Sequence, residues 1–158
     1  MTAHSHTPLL PAPTLDAAFS ALRQRGLRLS TARRLLLEAL YAAMEPVTAE
    51  RIAAGLDGRL PRSDIASVYR NLETLEELGL VRHVHLGHGP GLYVHAGIAL
   101  HEYVACEGCE GYVAVHPHQL DGARDAIREA FGYEASFTHF PIVGLCPECQ
   151  EASHVRPG

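Results

Sequence analysis

With 158 residues and 47% hydrophobic content, the chain can form one ordinary domain or two small ones with packed cores, which excludes a disordered tail. No stretch approaches the ~18 to 20 consecutive apolar residues that span a bilayer, and the N-terminus lacks a signal-peptide pattern, so a cytoplasmic protein with no membrane association is expected. The net charge of -5 is unevenly spread: residues 1–93 carry ten Arg against nine acidic residues and residues 94–158 three against nine, leaving the first part as the candidate for phosphate contact.

Residues 1–14 hold three prolines and no periodicity, which predicts a flexible arm. A helix is predicted from Leu15. Ser30 is the expected N-cap of an amphipathic helix carrying Ala32, Leu35, Leu36, Ala39, Leu40 and Ala43 and closing near Pro46. Thr48 caps a shorter helix with Ile52, Ala53 and Leu56, ending at an Asp57-Gly58 turn. The next helix opens at Ser63 or Asp64, aligns Ile65, Val68, Leu72, Leu75 and Leu78, and stops at Gly79. Ala66, Ser67, Tyr69 and Arg70 then face outward. Strands over Val81–Leu86 and Leu92–Val94 flank a Gly-rich turn, so the first part describes a winged helix-turn-helix over residues 15–94.

After a hinge at 95–100, short strands over Tyr103–Ala105 and Tyr112–Val115, a helix over Gln119–Phe131 and a strand over Ala135–Val143 make a second, α/β unit over 101–152, with a tail at 153–158. The overall class is α+β. About 50 residues bury little surface alone, so a metal staple and a partner subunit are both expected for this unit.

Cys106-x-x-Cys109 and Cys146-x-x-Cys149 have the pattern of a closed tetrahedral zinc site, structural and not catalytic; a thiol redox pair is the alternative. Eight of the eleven histidines lie between His83 and His139. His83 and His85 share one strand face, and His101, Glu102 and His139 flank the cysteine pairs, giving an imidazole and carboxylate set suited to a reversible divalent metal. Exposed wing histidines are the competing explanation. On the Ser63–Leu78 helix, Arg70 and Tyr69 suit entry into a DNA major groove, although a solvated face explains an isolated helix equally well.

These residues resemble the ferric uptake regulator (Fur) family of metal-responsive repressors from about Leu22 to Cys149. The resemblance is carried by Arg25-Gly26-Leu27-Arg28-Leu29-Ser30 with Arg33, Ser67-Val68-Tyr69-Arg70-Asn71-Leu72, Leu78-Gly79-Leu80-Val81 and Gly144-Leu145-Cys146-Pro147-Glu148-Cys149. It implies a winged-helix domain, an α/β dimerisation domain, a homodimer on palindromic double-stranded operator DNA, and repression activated by metal. By position, Ser67, Tyr69 and Arg70 fall in the recognition helix, Arg28 matches a basic residue reaching the minor groove, and the four cysteines match structural Zn2+ ligands.

The segment His83-Val84-His85-Leu86-Gly87-His88-Gly89 is most similar to the nickel-responsive branch, in which two wing histidines and one matching His139 form the regulatory site. This chain departs from the family pattern before the first CxxC, where Ala99-Leu100-His101-Glu102-Tyr103 keeps one histidine and puts Glu102 where Asp or His often stands. Pro46 and Tyr103 stand where histidine ligands often occur, His95 could substitute from the connector, and Asp121 matches a common carboxylate position.

The expected regulatory metal is Ni2+, Mn2+, Fe2+ or Zn2+, bound between wing and dimerisation domain to fix the angle of the DNA-binding lobes. An iron-bound peroxide sensor is the alternative within the family. A metal-storage or chaperone protein accounts for the histidines but not for the helix-and-wing pattern. A zinc enzyme lacks a nucleophile, base and orienter set.

Overall fold

Helix starts in the first part of the chain are set by single side chains. In the computed structural model, which describes residues 7–154, Thr14 accepts a hydrogen bond from the Ala17 amide to open α1 (Leu15–Gln24), and Ser30 accepts from Arg33 to open α2 (Thr31–Ala42). Thr48 does the same for α3 (Ala49–Ala53), and Asp64 for α5 (Ile65–Glu77) through the Ser67 amide. The Ser30, Thr48 and Asp64 caps stand where the sequence predicts them.

The end of α5 also follows prediction. Gly79 adopts φ +76, its amide donates to the Glu76 carbonyl and the Leu80 amide to that of Leu75, the paired bonds that close a helix on a left-handed residue. A side chain at Gly79 would meet the Pro8 carbonyl oxygen at 2.2 Å.

That close approach involves residues 8–12, part of the segment expected to be a flexible arm. Leu10 donates to the Gly79 carbonyl, Tyr41 donates to the Ala12 carbonyl, and Ala12 is buried. Apolar residues between the prolines dock this segment on the helices; His4 and His6 lie outside the described residues.

Between α3 and α5 the predicted helix is shorter than expected. Leu56 lies outside it, in α4 (Gly55–Gly58), a turn of four consecutive positive-φ residues. Gly55 permits this because a β-carbon there would sit 2.1 Å from the Leu60 carbonyl oxygen, and full burial of Leu56 holds the turn closed. A three-stranded sheet follows in the order β1-β3-β2, formed by β1 (Val47–Thr48), β2 (Val81–Val84) and β3 (Leu92–His95). The two-residue β1, paired antiparallel through Val47 with Tyr93 and Thr48 with Leu92, is too short to leave a periodic signal.

The described residues fall into two units, one comprising those up to His83 with Gly91–Ala99, the other Val84–Pro90 with those from Leu100 onward. The first has a continuous apolar core in which Leu22, Leu37, Leu40, Leu56, Val68, Leu72, Leu75 and Leu80 are all buried.

The second unit is built on a sheet of order β5-β4-β6 from β4 (Glu102–Cys106), β5 (Tyr112–Val115) and β6 (Ile142–Gly144). A 3-10 turn, Pro117–Leu120, leads into α6 (Asp121–Phe131), and α7 (Pro147–His154) follows the sheet. The strand predicted over Ala135–Val143 is confined to its last residues, because Pro141 has no N–H to give a ladder. No residue of α6 is buried, and Val113, Phe131, Tyr133, Phe140 and Val143 are exposed. This unit alone leaves much of its apolar surface in water. No described helix is long and apolar enough to cross a membrane.

Candidate metal centre and nucleic-acid interface

The 36 residues between the two CxxC pairs are spanned by strand pairing. β4 runs antiparallel to β5 and parallel to β6, with Cys106 opposite Gly144, two residues before Cys146. The Glu107 amide donates to the Gly144 carbonyl, and the Cys106 amide to that of Gly111, closing the first turn. Cys149 enters from α7. The four Sγ atoms lie within 4.8 Å of one another, with Cys109 and Cys146 4.0 Å apart. A tetrahedral zinc with ~2.3 Å bonds requires sulfurs about 3.8 Å apart, so the donor set fits zinc in chemistry and spacing.

The surroundings act unequally on the four thiols. Amides of Gly108 and Cys146 each donate to the Cys106 sulfur at 3.3 Å. Hydrogen bonding, first from the Cys146 backbone and then from that of Cys109, brings the Cys106 thiol down to about 6. Cys149 moves the other way, to about 12, because its thiol is shared first with Cys146 and then with Cys106. A divalent cation held by the four sulfurs would take the place of those shared protons. Gly108 completes the cradle, since a β-carbon there would come within 2.9 Å of Cys149 Sγ. Among the described residues, these cysteines are the only set of three or more His, Cys, Asp or Glu side chains whose ligand atoms all fall within 4.8 Å.

The predicted regulatory residues are distributed differently. His85 donates its amide to the His139 carbonyl, their rings are 5.1 Å apart, and Phe140 packs against both. His85 and Phe140 also line a recess of about 270 Å³ with His88, Glu107 and Glu110. His83 stacks on Tyr93 at 4.8 Å in the first unit. His101 is half-buried at the start of the second unit's sheet. Glu102 is buried and its carboxylate is held by the Arg124 guanidinium, which also donates to Asp121 at 3.2 Å and to the Pro117 carbonyl, and lies over the Phe137 ring. Both candidate metal carboxylates thus share one cation, a contact 22 residues away from Glu102 that no sequence spacing announces.

His95 is 5% exposed, stacks on Tyr41 at 4.0 Å and accepts the Gly97 amide at Nδ1. Burial pushes its pKa below the ordinary histidine value. The unfolded chain therefore binds the proton first as pH falls. Stability is full above the unfolded value of ~6.5 and declines below it until the folded imidazole also titrates. Urea midpoints should fall between pH 7 and 5, and His95→Phe should flatten that part of the curve; an unchanged slope in the variant contradicts the assignment.

On the first unit, Tyr69 and Arg70 are exposed on α5 and Ser67 is half-buried, while Arg28 is exposed in the segment before α2. Tyr69 donates to Glu50 at 2.7 Å, which raises the Tyr69 pKa and lowers that of Glu50. Arg33 and Asn71 link the Arg28 segment to α5, a connection the sequence reading did not include.

An α+β protein with four clustered cysteine sulfurs in one unit and an arginine-bearing exposed helix in the other has the makings of a metal-binding protein. Residues 24–140 match the family model described as ferric uptake regulator family. The chain belongs to that family. It is 30% identical over 142 residues to the peroxide operon regulator of Bacillus subtilis, covering 90% of this chain and 97% of the relative. It is 27% identical to a peroxide-responsive repressor of Staphylococcus saprophyticus, covering 87% and 92%. The solved Helicobacter pylori ferric uptake regulator, described as having three functional metal binding sites, shares the fold with a TM-score of 0.66 at 19% identity, over 87% of this chain and 94% of that one.

Proposed function

We propose that this chain is a metal-dependent transcriptional repressor acting as a homodimer on palindromic operator DNA. Residues 15–94 serve as a winged helix-turn-helix, 95–100 as hinge and 101–152 as dimerisation and metal-binding domain. The observation that carries this is the exposed face of α5, where Tyr69 and Arg70 are presented by a helix fixed at both ends. Arg70 suits a guanine edge, Tyr69 a thymine methyl or phosphate, and Arg28 the minor groove. The exposed apolar sheet and α6 of the second unit suit a second copy of the chain.

The four-cysteine zinc is structural in this reading. A separate regulatory ion is held by imidazoles, of which the His85–His139 pair is the best supported and His83 and His101 are further candidates; His95, Glu102 and Asp121 are the remaining ones. An ion that binds the DNA-competent state ~100-fold better supplies about 2.7 kcal/mol toward it. Operator affinity measured by mobility shift should therefore rise with one of nickel, manganese, iron or zinc over chelator, and fall in His85→Ala and His139→Ala. Equal affinity with chelator and with every metal removes the mechanism.

The similarity to two peroxide regulators favours a second reading, in which the regulatory ion is iron and peroxide oxidises a histidine beside it. Mass spectrometry of the iron-loaded protein after peroxide treatment separates the two: a histidine gaining one oxygen supports sensing, and an unmodified chain excludes it.

A further inference from the structure

Arg33 is half-buried near the start of α2 and touches two segments at once. Its Nη1 donates to the Arg28 carbonyl at 2.8 Å, and its Nε donates to Asn71 Oδ1 at 3.1 Å across 38 residues of sequence. Asn71 is itself oriented, because its Nδ2 donates to the Ser67 carbonyl at 2.9 Å and reaches Ser67 Oγ at 3.4 Å. Its amide therefore has its oxygen toward the guanidinium and its nitrogen toward its own helix. The Arg28 carbonyl also receives the Ser30 amide, and Ser30 in turn caps α2. The result is one chain of hydrogen bonds running from the Arg28 segment through Arg33 and Asn71 to the turn of α5 that carries Ser67, Tyr69 and Arg70.

We propose that Arg33 and Asn71 form a clasp that sets the spacing between Arg28 and the outward face of α5, making them positioning residues for coupled minor- and major-groove contact. The proposal rests on the DNA-binding function above and adds to it two residues that act through others. Two features support positioning over direct phosphate contact. Nε and Nη1 of Arg33 are both directed at oxygens of the protein, so those two donors of its planar fork are committed to holding the Arg28 segment and Asn71. Asn71 carries no charge, and its amide is engaged at both ends. A helix and a loop held only by apolar packing can slide by fractions of an ångström. Two directional bonds sharing one rigid guanidinium remove that freedom, which matters when side chains on both must meet the same duplex.

The test uses the full zinc-loaded chain and a duplex selected from a randomised library by the wild-type protein. Asn71→Ala should weaken binding to that duplex roughly tenfold, as loss of a charge-assisted bond does. The slope of log affinity against log salt should stay at the wild-type value, because no phosphate contact is lost. Arg33→Lys keeps the charge without the fork and should lose as much, and the double variant should be no worse than either single one. Arg28→Ala should cost less in the Asn71→Ala background than in wild type, a coupling that a simple loss of stability does not produce. Wild-type affinity in either Asn71→Ala or Arg33→Lys, or full additivity of the two losses, overturns the clasp while leaving DNA binding intact. Failure of the wild-type protein to select any duplex overturns both.

Discussion

Cys106→Ser should release zinc, unfold the second unit and abolish dimerisation, while the helices of the first unit persist. Cys106 is the sulfur most deeply tied into this unit: it ends β4, receives two amide N–H groups and lies opposite β6 across the parallel pair. Structural zinc sites contribute about 10 to 16 kcal/mol of binding free energy in small zinc-finger peptides, which is folding free energy where no preformed apo site exists. The second unit has few alternatives, since α6 buries none of its residues and the buried set of the sheet is confined to a few positions in β4. The first unit has its own apolar core and needs no ion. Zinc content, circular dichroism and size-exclusion chromatography with light scattering check each part. A stable, dimeric Cys106→Ser protein contradicts this assignment of structure to the cysteines and regulation to the histidines.

The second large effect is expected at Arg124. Replacing it with Leu leaves the buried Glu102 carboxylate without its cation, and breaking one side of such a pair costs about 3 to 5 kcal/mol. The Glu102→Leu/Arg124→Leu double variant should recover most of the loss, because removing both charges removes the desolvation cost together with the attraction. Thermal melts of the zinc-loaded proteins measure both. The same series distinguishes the two assignments of the carboxylates. With Arg124 gone, Glu102 and Asp121 become available to a hard divalent ion, and manganese should raise the melting temperature of Arg124→Leu more than that of wild type. Equal manganese stabilisation of the two proteins places the ion elsewhere.

Helix starts and stops were legible because single residues determine them. Ser30, Thr48, Asp64 and Gly79 each act through bonds to residues at most four positions away, so their spacing in sequence is their mechanism. The cysteine cluster was legible for a related reason, since CxxC fixes two donors locally and only the joining of the pairs depends on the fold. What could not be read were contacts between distant polar groups. Nothing in the run Leu120–Phe131 marks Arg124 as the partner of Glu102, and the pairing converts a candidate metal ligand into half of an ion pair. The docking of residues 8–12 was hidden likewise, because it depends on the Pro8 and Gly79 backbones meeting where no side chain intervenes. Long-range partners of this kind are chosen by packing, which leaves no periodic trace.

The parallel pairing of β4 with β6 also imposes an order on synthesis. The apolar core of the first unit is complete once Ala96 has emerged, so that unit can begin folding on the ribosome. The thiolate cage can close only after Cys149 has followed some 50 residues later, because β6 must lie beside β4 before the second cysteine pair reaches the first. A half-made chain can therefore present the folded first unit, with the exposed face of α5, before the second unit has formed. On the proposed reading, zinc supply would then govern how fast finished dimers appear, separately from any control that a regulatory ion would exert on the dimers once made.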